Sequence, residues 1–143
     1  MKKLFIMCAL LWSSLSLADS VINIPFPNGG LLEAKGGRIA MAAKGYIIQG
    51  VRYKVTCNIK TQSTIIAQLF ASNGLVGISV NDVKIPGRGI VQVSLKPGDN
   101  KVVYRDIMDA GYEGDDHYSG FGFMNLDNTE SAIVTKCSAE PLL

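Results

Sequence analysis

Val51-Arg52-Tyr53-Lys54-Val55-Thr56-Cys57-Asn58-Ile59-Lys60 alternates apolar and polar side chains without a break. A period of two belongs to a β-strand with one buried and one solvated face, because successive side chains on an extended backbone point to opposite sides. Val51, Tyr53, Val55, Cys57 and Ile59 therefore face a core, and Arg52, Lys54, Thr56, Asn58 and Lys60 face water. Cys57 lies on the inward side.

Seven further runs resemble this one: 64–70, 75–80, 83–85, 90–95, 101–107, 118–126 and 131–137. Turn-forming residues separate them: Ser72-Asn73-Gly74, Asn81-Asp82, Pro86-Gly87-Arg88-Gly89, Lys96-Pro97-Gly98-Asp99-Asn100 and Asp127-Asn128-Thr129. These residues supply the positive φ, fixed φ or local side-chain hydrogen bonds that tight reversals need. The two-residue Asn81-Asp82 connection predicts a hairpin. Beyond the N-terminal segment, the only candidate helix is Arg38 to Lys44, about two turns long, and the same residues fit an edge strand equally well. About eight short strands in a chain of this length imply an all-β, two-sheet antiparallel sandwich, since a single sheet would leave one apolar face in water. Immunoglobulin-like and jelly-roll wiring both fit. Residues 23–37, rich in proline and glycine, are expected to be an irregular, mobile lead-in.

The first 18 residues have a different character. Lys2 and Lys3 precede an apolar run from Leu4 to Leu17, and Ser16-Leu17-Ala18 precedes Asp19. A basic start, a short apolar stretch and small residues at the cut define a secretory signal peptide. The run is shorter than the ~20 residues that span a bilayer, so no stable membrane anchor is expected. Cys8 lies inside the apolar run, away from the position a lipid-anchored cysteine needs. Removing 18 of 143 residues leaves 125, enough for a single domain at 19–143. The Lys-Lys start and the lack of an Asn-x-Ser or Asn-x-Thr sequon point to a bacterial exported protein, periplasmic or extracellular.

Export bears on the cysteines. Cys8 departs with the signal, and Cys57 and Cys137 remain in a chain bound for an oxidising compartment, so a disulfide is expected. Closing a loop of about 80 residues stabilises by roughly 4 to 5 kcal/mol in the chain-entropy model. The competing reading as metal or redox cysteines lacks CxxC spacing or a neighbouring histidine.

Of 14 Lys and Arg, Lys2 and Lys3 leave with the signal, so 12 remain against 12 Asp and Glu. A neutral domain lacks the net basic footprint of a nucleic-acid binder. The charge is nonetheless uneven: residues 19–60 hold six basic and two acidic side chains, and 106–140 hold one basic and eight acidic.

The segment from Asp106 to Phe123 differs from its surroundings. It gathers acids, aromatics and the single histidine, and its middle, Asp109 to Ser119, is too polar and glycine-rich for a strand. Long loops in compact domains are often functional, so Asp109, Tyr112, Glu113, Asp115, Asp116 and His117 form the candidate ligand-binding surface. The acids offer the hard oxygen ligands that Ca²⁺ prefers, but their spacing is not that of a twelve-residue EF-hand loop, and acids that simply face water fit as well. Tyr112 and Tyr118 could stack on a sugar, with Tyr118 also placed to open a strand. Phe121 and Phe123 read as core residues, separated by Gly120 and Gly122, which leave room for a bulky neighbour. No nucleophile motif accompanies His117, and no catalytic residue is assigned. Arg38 and Arg88 each sit beside glycines that could present backbone N–H groups to an anion, a setting that ordinary turns share. The function expected is non-enzymatic binding of a carbohydrate or protein ligand; the alternative is a small hydrolase using acids of the 106–119 loop.

Overall fold

A computed structural model describes residues 21–71, 76–109, 111 and 120–142. The expected signal at 1–18, with Cys8, lies outside the described residues. Eleven strands follow in chain order: β1 (Ile22–Asn23), β2 (Leu31–Leu32), β3 (Gly37–Ala42), β4 (Arg52–Thr61), β5 (Ile65–Ala71), β6 (Gly77–Val80), β7 (Val83–Arg88), β8 (Ile90–Leu95), β9 (Gly98–Met108), β10 (Gly120–Asn125) and β11 (Ala132–Pro141). They form a seven-stranded sheet, β1-β11-β4-β9-β6-β7 with β2 also on β11, packed on a four-stranded sheet, β3-β10-β5-β8. The all-β antiparallel sandwich expected from the alternation is the fold observed.

The pairing also fixes the wiring. β2 pairs with β11, β3 with β10, β4 with β9 and β5 with β8, all antiparallel. First pairs with last and each next strand with the one before, as in a long hairpin rolled up so that alternate strands enter opposite sheets. That is the jelly roll. The β6–β7 hairpin is inserted between the two halves of this roll and extends the larger sheet beyond β9.

β4 shows why the sequence folds this way. Tyr53, Val55, Cys57 and Ile59 are buried, in phase with the alternation. Cys57 stands directly opposite Cys137 on β11 and is bonded to it, with 80 residues of separation. The disulfide lies within one sheet and ties β4, the third strand of the roll, to its last strand, β11. Between the sheets, Tyr104, Phe121 and Phe123 pack with ring centroids 5.1 to 6.5 Å apart. Tyr104 Oη donates to the Gly122 carbonyl at 2.6 Å, a hydrogen bond from one sheet to the other.

Some expectations need correction. Residues 23–37 are not an irregular lead-in. β1 and β2 both pair with β11, and Ile24 and Leu32 are buried in the core. Two-residue strands are too short for alternation to reveal. Of the two readings left open for Arg38 to Lys44, the edge strand is the one observed: β3 lies at the sheet edge with Ile39 and Met41 turned inward. Pro86 to Gly89 is not a reversal either. β7 runs on through Arg88, and Gly87 and Gly89, at φ 95° and 79°, carry the chain across from the larger sheet to the smaller. The Asn81-Asp82 hairpin is present, with both residues at positive φ (50° and 68°), as a twist-matched two-residue turn requires.

A bulge in β9 sets which way the end of that strand faces. Tyr53 faces Ile107 and Lys54 faces Arg105, so Asp106 is an extra residue, at φ 71°. The slip keeps both Tyr104 and Ile107 in the core while Arg105 points out.

Candidate functional site

Of the six loop residues singled out from the sequence, Asp109 is described and the other five, Tyr112, Glu113, Asp115, Asp116 and His117, lie outside the described residues, as does Tyr118. Asp109 is not an exposed ligand group. It is 7% exposed, its carboxylate accepts a hydrogen bond from the Gly111 N–H at 2.9 Å, and its carbonyl accepts one from Gly50 at 2.8 Å. This is the work of a turn residue satisfying local backbone donors at a strand end. Among the described residues, no group of three or more His, Cys, Asp or Glu is placed to hold a metal ion.

The segment rejoins the sandwich at Gly120, and Gly120 borders a hollow of about 430 Å³ on the outer face of the four-stranded sheet. Strand alternation turns Arg38 and Ala40 of β3, Gly122 and Met124 of β10, Gln68 and Phe70 of β5 and Ile90 of β8 away from the core, and register brings them side by side. Gly122 is the key to the arrangement. Phe70 faces it directly across β5 and β10, and a Cβ at position 122 would come within 2.6 Å of Phe70 Cζ. The glycine thus lets the ring lie down over the strand. The Arg38 guanidinium stacks on the ring at 4.5 Å from its centroid. Stacking on an aromatic face leaves the N–H edges of an arginine free to donate.

The hollow is mainly apolar, with Phe70, Met124 and the 66% exposed Ile90 as its large side chains, and it has two polar groups, Arg38 and Gln68. Among the described residues, no carboxylate, imidazole, thiol or hydroxyl side chain lines it. These residues can hold and orient a ligand by apolar contact and hydrogen-bond donation.

No family model matches the chain, and no curated protein matches it significantly.

Among the described residues, Tyr104 and Asp127 are shifted from their ordinary pKa values. Burial pushes the Tyr104 phenol well above its ordinary value, in keeping with a neutral donor to Gly122. The backbone N–H groups of Glu130 and then Thr129 hold the Asp127 carboxyl below the usual aspartate value. Asp127 shapes the turn before β11 and stands apart from the hollow.

The hollow left only a faint trace in the sequence. β5 reads Ile65-Ile66-Ala67-Gln68-Leu69-Phe70-Ala71, with Ile66 and Phe70 out of phase with the buried Ile65, Ala67 and Leu69. Apolar residues on both faces of a strand signal a second contact surface, and Gly122 is the complementary sign on the neighbouring strand.

Proposed function

We propose that the protein is an exported, non-enzymatic binding module that holds a carbohydrate in the hollow of the four-stranded sheet. The observation that carries this is the Phe70 ring laid over Gly122 and capped by Arg38, beside Gln68. Sugars present apolar C–H faces and hydroxyl edges, and a site with apolar flooring and a few convergent donors matches both. Met124, Ile90 and the ring edge meet the C–H face; Arg38 and Gln68 meet the hydroxyls. An open sheet face suits an extended ligand better than a small molecule that must be enclosed.

Export is part of the same proposal. The signal-like residues 1–18 and the buried Cys57–Cys137 bond both fit a chain that matures in an oxidising compartment, periplasmic or extracellular. Among the described residues no helix is long and apolar enough to cross a membrane. The hydrolase alternative uses acids of 106–119, of which Asp109 is buried in a turn and is not among the described residues that line the hollow.

A glycan array probed with residues 19–143, followed by titration of any hit, tests the proposal. Phe70→Ala and Arg38→Ala should each weaken binding at least tenfold while the fold melts within a few degrees of the parent. Glycan binding that both variants leave intact overturns it, as does a parent that captures only a protein ligand or hydrolyses what it binds.

A further inference from the structure

On the opposite side of the sandwich, register builds a second site out of residues far apart in sequence. Lys54 on β4 faces Arg105 on β9, and Arg105 faces Gly77 on β6. Two residues along, Thr56 faces Val103, Val103 faces Ser79, and Ser79 faces Lys84 on β7. Two residues further on β9 stands Lys101. The result is a trough of about 450 Å³ whose floor is Thr56, Ser79, Gly77 and Val103. Lys54 and Arg105 form one bank, Lys101 the other, and Lys84 stands at the end. With ~3.3 Å per residue along a strand, the four-residue step from Arg105 to Lys101 sets the banks about 13 Å apart.

The charges in this trough are poorly balanced by the protein. Like charges directly opposite each other on paired strands are unfavourable, yet Lys54 and Arg105 occupy such a pair. Two carboxylates stand near four cations: Asp82 lines the trough and is taken up by Lys101, and Glu140, outside the lining, is 4.0 Å from Lys54 Nζ. Among the described residues neither Arg105 nor Lys84 has a carboxylate partner. Val103, on the floor, is only 8% exposed although it lies outside the core cluster. Arg105 shares the outward face of Val103 and Lys101 by unbroken alternation, and the carboxylate of the bulge residue Asp106 turns to Arg52, at 3.9 Å.

We propose that this trough binds an oligosaccharide carrying sulfate or phosphate esters, at a site independent of the hollow on the other sheet. Ester oxyanions take the place of the missing countercharge between Lys54, Arg105 and Lys84, with charge-assisted hydrogen bonds from the arginine fork. The hydroxyls of Thr56 and Ser79 exchange hydrogen bonds with sugar hydroxyls between the esters. The floor has no aromatic side chain on which nucleic-acid bases could stack, and the domain lacks the overall basic charge of a nucleic-acid binder. A protein partner would need an accessible apolar anchor, and the apolar residues of the trough, Val103 and Ile78, are buried.

Titration calorimetry with residues 19–143 tests this, using a sulfated tetrasaccharide, a phosphorylated one, their uncharged parent and an oligonucleotide of equal charge. At least one charged sugar should bind tenfold or more tightly than the uncharged parent and than the oligonucleotide, weakening as salt rises. Lys54→Gln combined with Arg105→Gln should weaken that binding tenfold or more, whereas Lys35→Gln, the same kind of charge removal on a distant turn, should not. In low salt the Arg105→Gln protein should melt no lower than the parent, since a like-charged neighbour of Lys54 is gone. The proposal is overturned if neither charged sugar binds, if the oligonucleotide binds as well as the sugar, or if the double variant binds like the parent. Loss of the hollow's ligand through Phe70→Ala has no bearing on this outcome, so the two proposals fail separately.

Discussion

Replacing Gly122 by alanine examines fold and site together. A methyl group there would meet Phe70 Cζ at 2.6 Å and crowd the backbone carbonyl of Ile39, so the ring must swing off the sheet and β10 must shift slightly against β3. Overpacking of this kind costs about 1 to 3 kcal/mol. For a domain of this size each kcal/mol corresponds to roughly 3 to 6 °C, so a fall of about 3 to 18 °C is expected. The ring contributes only the side-chain part of the clash. In a Phe70→Ala background the same substitution should therefore cost less, with a coupling of at least ~0.5 kcal/mol between the two positions. Denaturant unfolding of the parent, both single variants and the double variant measures it. Additive losses would show that the ring does not rest on Gly122, and the platform on which the carbohydrate proposal depends would be gone. Gly122→Ala should also lower glycan affinity at temperatures where it remains folded, because Arg38 loses the ring on which it stacks.

Two further outcomes concern buried polar groups. Asn100 is fully buried: its amide donates to the carbonyls of Lys96, Gly98 and Ile59, and its oxygen accepts from the Lys96 N–H and the Asn81 amide. Asn100→Leu keeps the volume but strands these groups, at about 1 to 3 kcal/mol for each one left buried without a partner, so chemical denaturation should show a loss of several kcal/mol. Tyr104 should make the domain sensitive to alkali. Its folded pKa is raised by burial, so above pH ~10 the unfolded state releases the phenolic proton first and stability falls as pH rises further. Melting temperatures recorded from pH 8 to 11 should drop more steeply for the parent than for Tyr104→Phe, which at neutral pH should lose only about 1 kcal/mol with the hydrogen bond to Gly122. Equal slopes would mean that another group dominates the alkaline limb.

Alternation encodes burial within a strand, and that is the part of the structure legible in the sequence. A period of two tells which residues of one strand are buried, so the faces of β4, the inward placement of Cys57 and the sandwich itself were all readable from 51–60 and the runs like it. The even cysteine pair gave the disulfide. Alternation says nothing about which strand lies beside which, and so the jelly-roll pairing of β2 with β11 or β3 with β10 had to come from the structure. The same limit hid both surfaces. Lys54, Arg105 and Lys84 look like scattered solvated charges until register places them around one trough, and Phe70 looks like one more core residue in an apolar run until Gly122 is set beneath it. The unusual composition of 106–119 drew attention to a loop, whereas the residues that assemble into surfaces are ordinary in composition and special only in position.

The two surfaces meet physically at β9. Tyr104 points inward and gives its hydroxyl to the carbonyl of Gly122, the residue on whose outer side Phe70 lies; its neighbour Arg105 points outward into the basic trough. Consecutive residues of one strand thus reach opposite faces of the sandwich, one through a hydrogen bond across the core and the other directly. The Asp106 bulge makes this possible without giving up burial further along. Had the alternation continued unbroken, Ile107 would share the outward face with Arg105; the extra residue at positive φ returns it to the core beside Tyr53. A bulge in the longest strand carries a local cost in ladder hydrogen bonds. Here it keeps the apolar contacts of Ile107 while holding Arg105 opposite Lys54, a pairing that packing alone would not select and that an oxyanion between them makes favourable.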